Sequence, residues 1–336
     1  MAKHARLILV MLAGLLLAAC SSAKGSTDAT AAAGTSAGTT VGTTALKVGT
    51  SPTLSNASLY LATQNGAFAN HHLAVTPQLV TSGAEAVPLL LNGQIQFTAA
   101  DPLGALVAIS QKVPLVIVAQ ANVVPANPAQ DSTGLLVKAS SPIGDAADFA
   151  GKTVAVNALN SLSQVTAEAT IDEAGGNASA VRFVELPIPQ MIAAVQRGTV
   201  DGAVLNEPYV TQAKAAGLRD VFPVMSKSVP GVPQLVYVAA KSYVASHPAT
   251  VAAFAASIAT ADSDLSQSPS LIRSVGAKST TVGSAVLGKI ILPTFTSSAL
   301  SVSSLATLET LMVKYKVLPQ PLSNLGQYVF SGTPAS

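Results

Sequence analysis

The chain predicts an α/β fold in two lobes, each a mostly parallel sheet flanked by helices. Three observations carry this. Short apolar runs alternate with amphipathic segments in a βαβα rhythm, which argues for parallel strands covered on both faces. The rhythm restarts near residue 134. The 336 residues are 49% hydrophobic and only 10% charged, enough apolar material for substantial cores and a length that suggests two lobes.

The first round opens with a strand at 46–50 and a helix at 56–64, capped by Ser55 or Asn56 and closed near Gly66. A strand at 73–80 leads to a helix at 82–91, stopped by Asn92-Gly93. Strands at 95–99 and 115–120 enclose a short helix at 103–110. The second round has strands at 134–138, 153–156, 181–186 and 202–205. Its first helix, 163–174, ends at the C-cap Gly175-Gly176. Pro189 opens the next at a favourable first position, and Gly198 closes it. A helix at 207–216 and a strand at 235–240, able to return to the first lobe, complete the round. From His247 to Ser331 the chain reads as mostly helical. Its longest helix is at 248–266, and another at 303–316 sets Leu305, Leu308 and Met312 at helical spacing.

The N-terminus carries a processing signal. Lys3 and Arg6 form a basic region, and residues 7–19 are an apolar stretch too short to span a bilayer core. Leu17-Ala18-Ala19-Cys20 then reads as a lipobox. In lipoproteins of this kind the peptide is cut before the cysteine, whose thiol and new amine receive acyl chains such as palmitate. The expectation is a signal peptide at 1–19, a membrane anchor on Cys20 and a flexible Ser/Thr/Ala/Gly tether at 20–44. The body then works outside the cytoplasm, at the cell surface or in a periplasm. The competing reading is an ordinary secretory peptide or a short buried helix.

Charge and composition narrow the function. Removing 1–19 takes two basic residues and no carboxylate, leaving 16 of each sign. A neutral chain without basic runs gives no case for nucleic acid. With Cys20 lipidated, no disulfide or thiol chemistry remains. His4 lies in the signal, His71 and His72 in a turn, and His247 before Pro248, with no metal-ligand spacing among them. No nucleophile elbow, P-loop or dinucleotide fingerprint is present, so neither metal nor cofactor is expected.

Small polar clusters stand where strands give way to helices: Ser51-Pro52-Thr53, Thr81-Ser82-Gly83, Asp101-Pro102, Asn160-Ser161-Leu162-Ser163 and Asn206-Glu207-Pro208. In open α/β sheets ligands bind at the carboxyl ends of strands, where helix N-termini offer free N–H groups. The candidate ligand residues are therefore Ser51, Thr53, Thr81, Ser82, Gly83, Asp101, Asn160, Ser161, Ser163, Asn206 and Glu207. Several have structural alternatives. Ser82 and Glu85 fit a capping box, Asp201 fits a turn, and Asp101 or Glu207 can serve a helix start rather than a ligand. One of Asn160, Ser161 and Ser163 must cap its helix.

The order of these pieces resembles a known family, the type II solute-binding proteins of the nitrate/sulfonate/taurine and thiamine-precursor branch of ABC importers. The resemblance covers about residues 45–325. Its carriers include Leu46-Lys47-Val48-Gly49 before Ser51-Pro52, Asn65-Gly66-Ala67-Phe68, Ser82-Gly83-Ala84-Glu85-Ala86 and Leu90-Leu91-Asn92-Gly93-Gln94-Ile95. Others are Gly151-Lys152-Thr153-Val154-Ala155-Val156, and Gln196-Arg197-Gly198-Thr199-Val200-Asp201-Gly202-Ala203 followed by Glu207-Pro208-Tyr209. It implies a two-lobed type II periplasmic-binding-protein fold, with lobe 1 at 45–130 plus 241–331, lobe 2 at 131–240, and a hinge between. It further implies a monomer that closes over a small polar or anionic solute and hands it to an ABC permease with its ATPase, without catalysis. The alternatives are a binder of a thiamine-pyrimidine-like precursor and a solute sensor not coupled to transport. Thiamine-pyrimidine synthases resemble these proteins in fold, but use an active-site histidine and a cysteine-rich iron motif that this chain lacks.

Overall fold

Strands such as Leu135-Leu136-Val137 carry apolar side chains on both faces, and the fold covers both. The computed structural model describes residues 42–80, 83–280 and 282–332. The expected signal peptide at 1–19, Cys20, most of the expected tether, Thr81 and Ser82 lie outside the described residues. Two five-stranded sheets form the frame. The first holds β1 (Thr44–Thr50), β2 (Leu73–Leu79), β3 (Phe97–Ala100), β4 (Leu115–Val123) and β10 (Pro233–Ala240), in the order β2-β1-β3-β10-β4. The second holds β5 (Thr133–Lys138), β6 (Thr153–Val156), β7 (Arg182–Glu185), β8 (Gly202–Asn206) and β9 (Leu218–Pro223), in the order β7-β6-β8-β5-β9. Each sheet is parallel except for one strand, β10 or β5, which runs antiparallel to both its neighbours. The strand at the end of the expected second lobe thus belongs to the first sheet.

The helices are α1 (Ala57–Gln64), α2 (Gly83–Leu91), α3 (Pro102–Ser110), α4 (Leu162–Glu173), α5 (Ile188–Arg197) and α6 (Tyr209–Ala215). After β10 come α7 (Lys241–Ser246), α8 (Pro248–Gln267), α9 (Pro269–Ser279), α10 (Ser284–Leu287) and α11 (Val302–Lys314). Gly198 ends α5 at φ 78°, a left-handed position that suits glycine.

Strand alternation sorts the apolar residues into three cores. Leu135 and Val137 of β5 face one core, and Leu136 faces another. The second-sheet core against α5 and α6 contains Met191, Val195 and Val210. A first-sheet core gathers α1, α8 and α9 around Phe97 and Phe254. The largest core is continuous between the two sheets, and includes Leu106 of α3, Val165 of α4 and Leu308 of α11. On its far side the Tyr315 hydroxyl donates to Asp172 Oδ2 at 3.0 Å, with Lys314 Nζ 3.7 Å from the same oxygen. β4 is buried along its whole length although it ends its sheet. C-terminal chain covers it: Phe330 N–H donates to Ile117 O, and Val123 N–H to Thr294 O. That shields an otherwise open edge.

One buried acid in the first-sheet core has a testable consequence. Asp262 of α8 is 2% exposed, and its side chain is hydrogen-bonded to the Ser58 hydroxyl. That hydroxyl also lies 3.2 Å from the Ala121 carbonyl oxygen. A hydroxyl has one proton, and a carbonyl oxygen only accepts. A protonated Asp262 therefore satisfies both contacts. Burial pushes this carboxyl well above the usual range, and the Ser58 hydroxyl pulls the other way when it donates. The native state keeps a proton that the unfolded chain releases above about pH 4. This contribution to stability is complete below that pH and is lost as pH rises through the raised native value. Asp262→Asn is expected to lose stability less steeply as pH rises from about 4 through neutrality. Melting curves of parent and variant across that range test it; parallel pH profiles would refute it.

Candidate functional site

Two chain crossings join the sheets, and they fix which strand ends meet. β4 runs at Val123 into residues 124–132, which lead to β5 at Thr133. β9 runs at Pro223 into residues 224–232, which lead to β10 at Pro233. The crossings pair with each other: Val124 N–H donates to Val232 O at 2.9 Å, and Gly231 N–H to Val124 O at 2.8 Å. Asp131, 6% exposed, clamps them. Its Oδ1 accepts from Thr133 N–H at 3.0 Å, and its Oδ2 from Met225 N–H at 2.9 Å and Ser226 N–H at 2.7 Å. Beside it, Asn122 Nδ2 donates to Gln234 Oε1 at 2.7 Å, and Gln234 Nε2 to Thr133 Oγ1 at 3.2 Å.

The register carries this edge outward from the crossings. Thr133 pairs with Asn206, so the carboxyl end of β8 lies on the crossing side, as do the ends of the parallel β6 and β7. In the first sheet Val236, near the start of β10, pairs with Ala100 at the end of β3. The carboxyl ends of β1, β3, β6 and β8 therefore look toward the crossings. Lys138, Arg182 and Arg219 stand at the opposite ends of β5, β7 and β9. The side where strands meet helix starts takes its charge from acids, Asp101 and Glu207, rather than from these bases.

Most sequence-predicted residues are engaged with their own chain. Ser51 accepts from Asn56 Nδ2 through its carbonyl at 3.1 Å, and also takes the Tyr60 hydroxyl at 3.2 Å. Thr53 Oγ1 accepts from the same Asn56 amide at 3.1 Å. Asn56 thus ties down the β1–α1 turn and makes no side-chain cap for α1. Gly83 is exposed and begins α2, with Glu85 in the first turn. Ser161 is the N-cap of α4, with Oγ accepting from Gln164 N–H at 3.4 Å, and is 4% exposed. Asn160 is exposed at φ 59°, and its N–H donates to Gln164 Oε1 at 2.9 Å. Ser163 is half-buried in the first turn. Asp201, weighed above as a turn residue, accepts from Thr153 N–H at 2.8 Å, at the start of β6 and away from this edge.

Asp101 and Glu207 occupy equivalent places in the two halves. Asp101 Oδ1 caps α3 through Leu103 N–H at 2.8 Å and Gly104 N–H at 3.1 Å. Its Oδ2 accepts from Leu162 N–H, the first residue of α4, at 3.1 Å. Burial pushes this carboxyl up, while the N–H groups of Gly104, Leu162 and Leu103 hold it down. Glu207 is buried; Oε2 accepts from Thr211 N–H at 3.0 Å, and Oε1 from the Thr211 hydroxyl at 2.8 Å and Ile291 N–H at 3.2 Å. Asn206, half-buried, closes β8 beside it. Among the described residues no group of histidine, cysteine and acidic side chains is arranged to hold a metal, and no helix is long and apolar enough to cross a membrane.

The crossing residues Asp131, Asn122 and Gln234 were not among the sequence candidates. Asp131 had a signal, an acid just before the first strand of the second round. Asn122 and Gln234 come together across 112 residues, a pairing no local pattern reveals.

Two lobe-like halves, joined by paired crossings with polar helix starts facing them, define a periplasmic-binding-protein architecture of type II. Comparison with known proteins agrees. A family model described as "NMT1/THI5 like" matches residues 54–271, and the chain belongs to that family. The taurine-binding periplasmic protein of Escherichia coli (strain K12) is 32% identical over 178 residues, 52% of this chain and 52% of that protein. The match thus spans about half the length of this curated relative. The alkanesulfonate-binding protein SsuA of Xanthomonas axonopodis pv. citri, solved bound to MOPS, superposes with a TM-score of 0.70 at 18% identity, over 86% of this chain and 98% of that one. The nitrate-binding protein NrtA of Synechocystis PCC 6803 gives 0.70 at 14% identity, over 85% and 86%. These two likenesses are of fold. The named relatives are binding proteins, not enzymes.

Proposed function

We propose that this chain is the lipid-anchored, extracytoplasmic solute-binding component of an ABC importer. It captures a small polar organic or anionic solute, sulfonate-, nitrate- or taurine-like, between two lobes and presents it to a permease and its ATPase. The observation that carries this reading is the convergence of the β3, β6 and β8 ends, and of the α3, α4 and α6 starts, beside the paired crossings. Cys20 supplies the anchor, residues 20–44 the tether, and the body acts as a monomer outside the cytoplasm. The ligand contacts come from the polar clusters at the strand ends. Ser51, Thr53 and Gly83 serve one lobe, with Thr81 and Ser82; Asn160, Ser163 and Asn206 serve the other. Ser161, buried as a cap, supports the α4 start. The acids Asp101 and Glu207 favour a second reading, in which the solute carries an amine, as an aminopyrimidine precursor of thiamine does.

A solute that binds only the folded protein raises its melting temperature, with about 2.7 kcal/mol of stabilisation at a hundredfold excess over Kd. The test is a thermal-shift panel on the full chain, covering alkanesulfonates, taurine, nitrate, carboxylates and aminopyrimidines. One class is expected to shift the parent. Asn160→Tyr and Ser163→Tyr, at exposed and half-buried positions, are expected to abolish that shift; Ser163→Tyr alone should melt near the parent, since Asn160 sits at φ 59°, where tyrosine is strained. A panel with no shift sinks the proposed solute classes; a shift that survives both substitutions moves the site elsewhere.

A further inference from the structure

The two halves repeat one arrangement. Their sheet orders correspond strand for strand, β3 to β8 and β10 to β5. In each half the corresponding strand runs into an acid followed by proline, Asp101-Pro102 after β3 and Glu207-Pro208 after β8. Each carboxylate holds its own half and reaches into the other. Asp101 caps α3 beside the first sheet and accepts the Leu162 N–H of α4 beside the second. Glu207 holds α6 beside the second sheet and accepts the N–H of Ile291. Ile291 belongs to a segment fastened to β4 of the first sheet: Thr294 O accepts from Val123 N–H at 2.9 Å, and Ser298 O from Gln120 Nε2 at 2.6 Å. The ion pairs found among the described residues, Lys214–Asp220 and Lys314–Asp172, leave both acids aside.

We propose that Asp101 and Glu207 are reciprocal latches, each taking a backbone N–H of the opposite half, that set the open–closed balance before any solute arrives. A hydrogen bond to an ionised acceptor is stronger than a neutral one, and here each spans the two halves. A solute that prefers the closed form then acts on an equilibrium already biased by these two acids. Weakening the latches lowers the closed population and, in proportion, the apparent affinity. Both acids are positioning residues in this role. The inference rests on the solute-capture reading for the motion it assigns, not for the latches themselves.

The test uses the full chain without solute, as parent and as the double variant Asp101→Asn, Glu207→Gln. Asparagine leaves one oxygen for the α3 N–H groups and sets an amide against Leu162 N–H. Amide hydrogen exchange is expected to quicken roughly tenfold at Leu162 and Ile291. The radius of gyration is expected to rise, while amides inside β1 and β6 exchange at the parent rate. If the double variant does not fold, Asp101→Asn alone carries the test through Leu162. Parent-like exchange at both amides with an unchanged radius overturns the latches, as does a uniform rise across the whole chain. A parent that still takes up solute beside such a null result keeps the solute reading. A variant that opens, in a protein that no solute shifts, keeps the latches and overturns the solute reading.

Discussion

Phe254→Ala is expected to remove about 3–5 kcal/mol of stability, the largest single loss in the first-sheet core. The ring is fully buried on α8. It stacks on Phe97 of β3 with centroids 3.9 Å apart and planes 5° from parallel, and on Phe68 at 5.5 Å. Tyr237 of β10 meets it edge-on at 5.4 Å. The chain has no tryptophan, so this cluster supplies much of the bulk that joins α8 to the sheet. Truncation leaves a cavity walled by three rings held on different elements, which cannot collapse together to fill it. Chemical denaturation should show a lower midpoint with little change in slope. A loss below about 1 kcal/mol would mean that the site repacks and that the rings are not a rigid unit.

The second large effect is expected at the crossings. Asp131→Ala orphans three N–H groups, those of Thr133, Met225 and Ser226. A buried donor left without an acceptor costs about 1–3 kcal/mol. The expected total is about 3 kcal/mol or more, less whatever water recovers. Because Met225 and Ser226 lie in one crossing and Asp131 ends the other, the variant should also loosen the joint. Amide exchange at Met225 and Ser226 should quicken more than exchange in the sheet cores. Parent-like stability together with parent-like exchange at those amides would show that the clamp is redundant.

Local signals in the chain made much of the frame legible. Pro189 and Gly198 bound α5 because proline suits a first turn and glycine a left-handed end. The β5, β6 and β8 runs are apolar over several residues, and the structure buries them between layers. β9 is not among the strands predicted above; Leu-Arg-Asp-Val-Phe-Pro sets two charged residues side by side. It forms because the Arg219 guanidinium donates to the Ser141 and Ile143 carbonyls and Asp220 pairs with Lys214 at 3.0 Å. Ser141 and Ile143 lie 78 and 76 residues from Arg219, outside any local window, whereas Lys214 is near in sequence. Helix α9 falls inside the stretch from His247 that reads only as mostly helical, although Ser268 before Pro269 does cap it, and α7 lies just ahead of that stretch.

The candidate site divides along the same line. Local chemistry pointed to the acids, hydroxyls and amides at the strand ends, because such residues cap helices and face ligands for one electrostatic reason. It left open which of those jobs each residue performs. Ser161 caps α4, Asn56 binds the β1–α1 turn, and Asp201 fastens the far end of β6. Asp101 and Glu207 join segments 61 and 84 residues apart. Residue type and short-range period reside in the chain itself, so composition and spacing suffice for the class of fold and its rim of polar helix starts. The partners of a carboxylate are chosen by which distant N–H the packed sheets bring within 3 Å or so, and that choice exists only once the cores have closed.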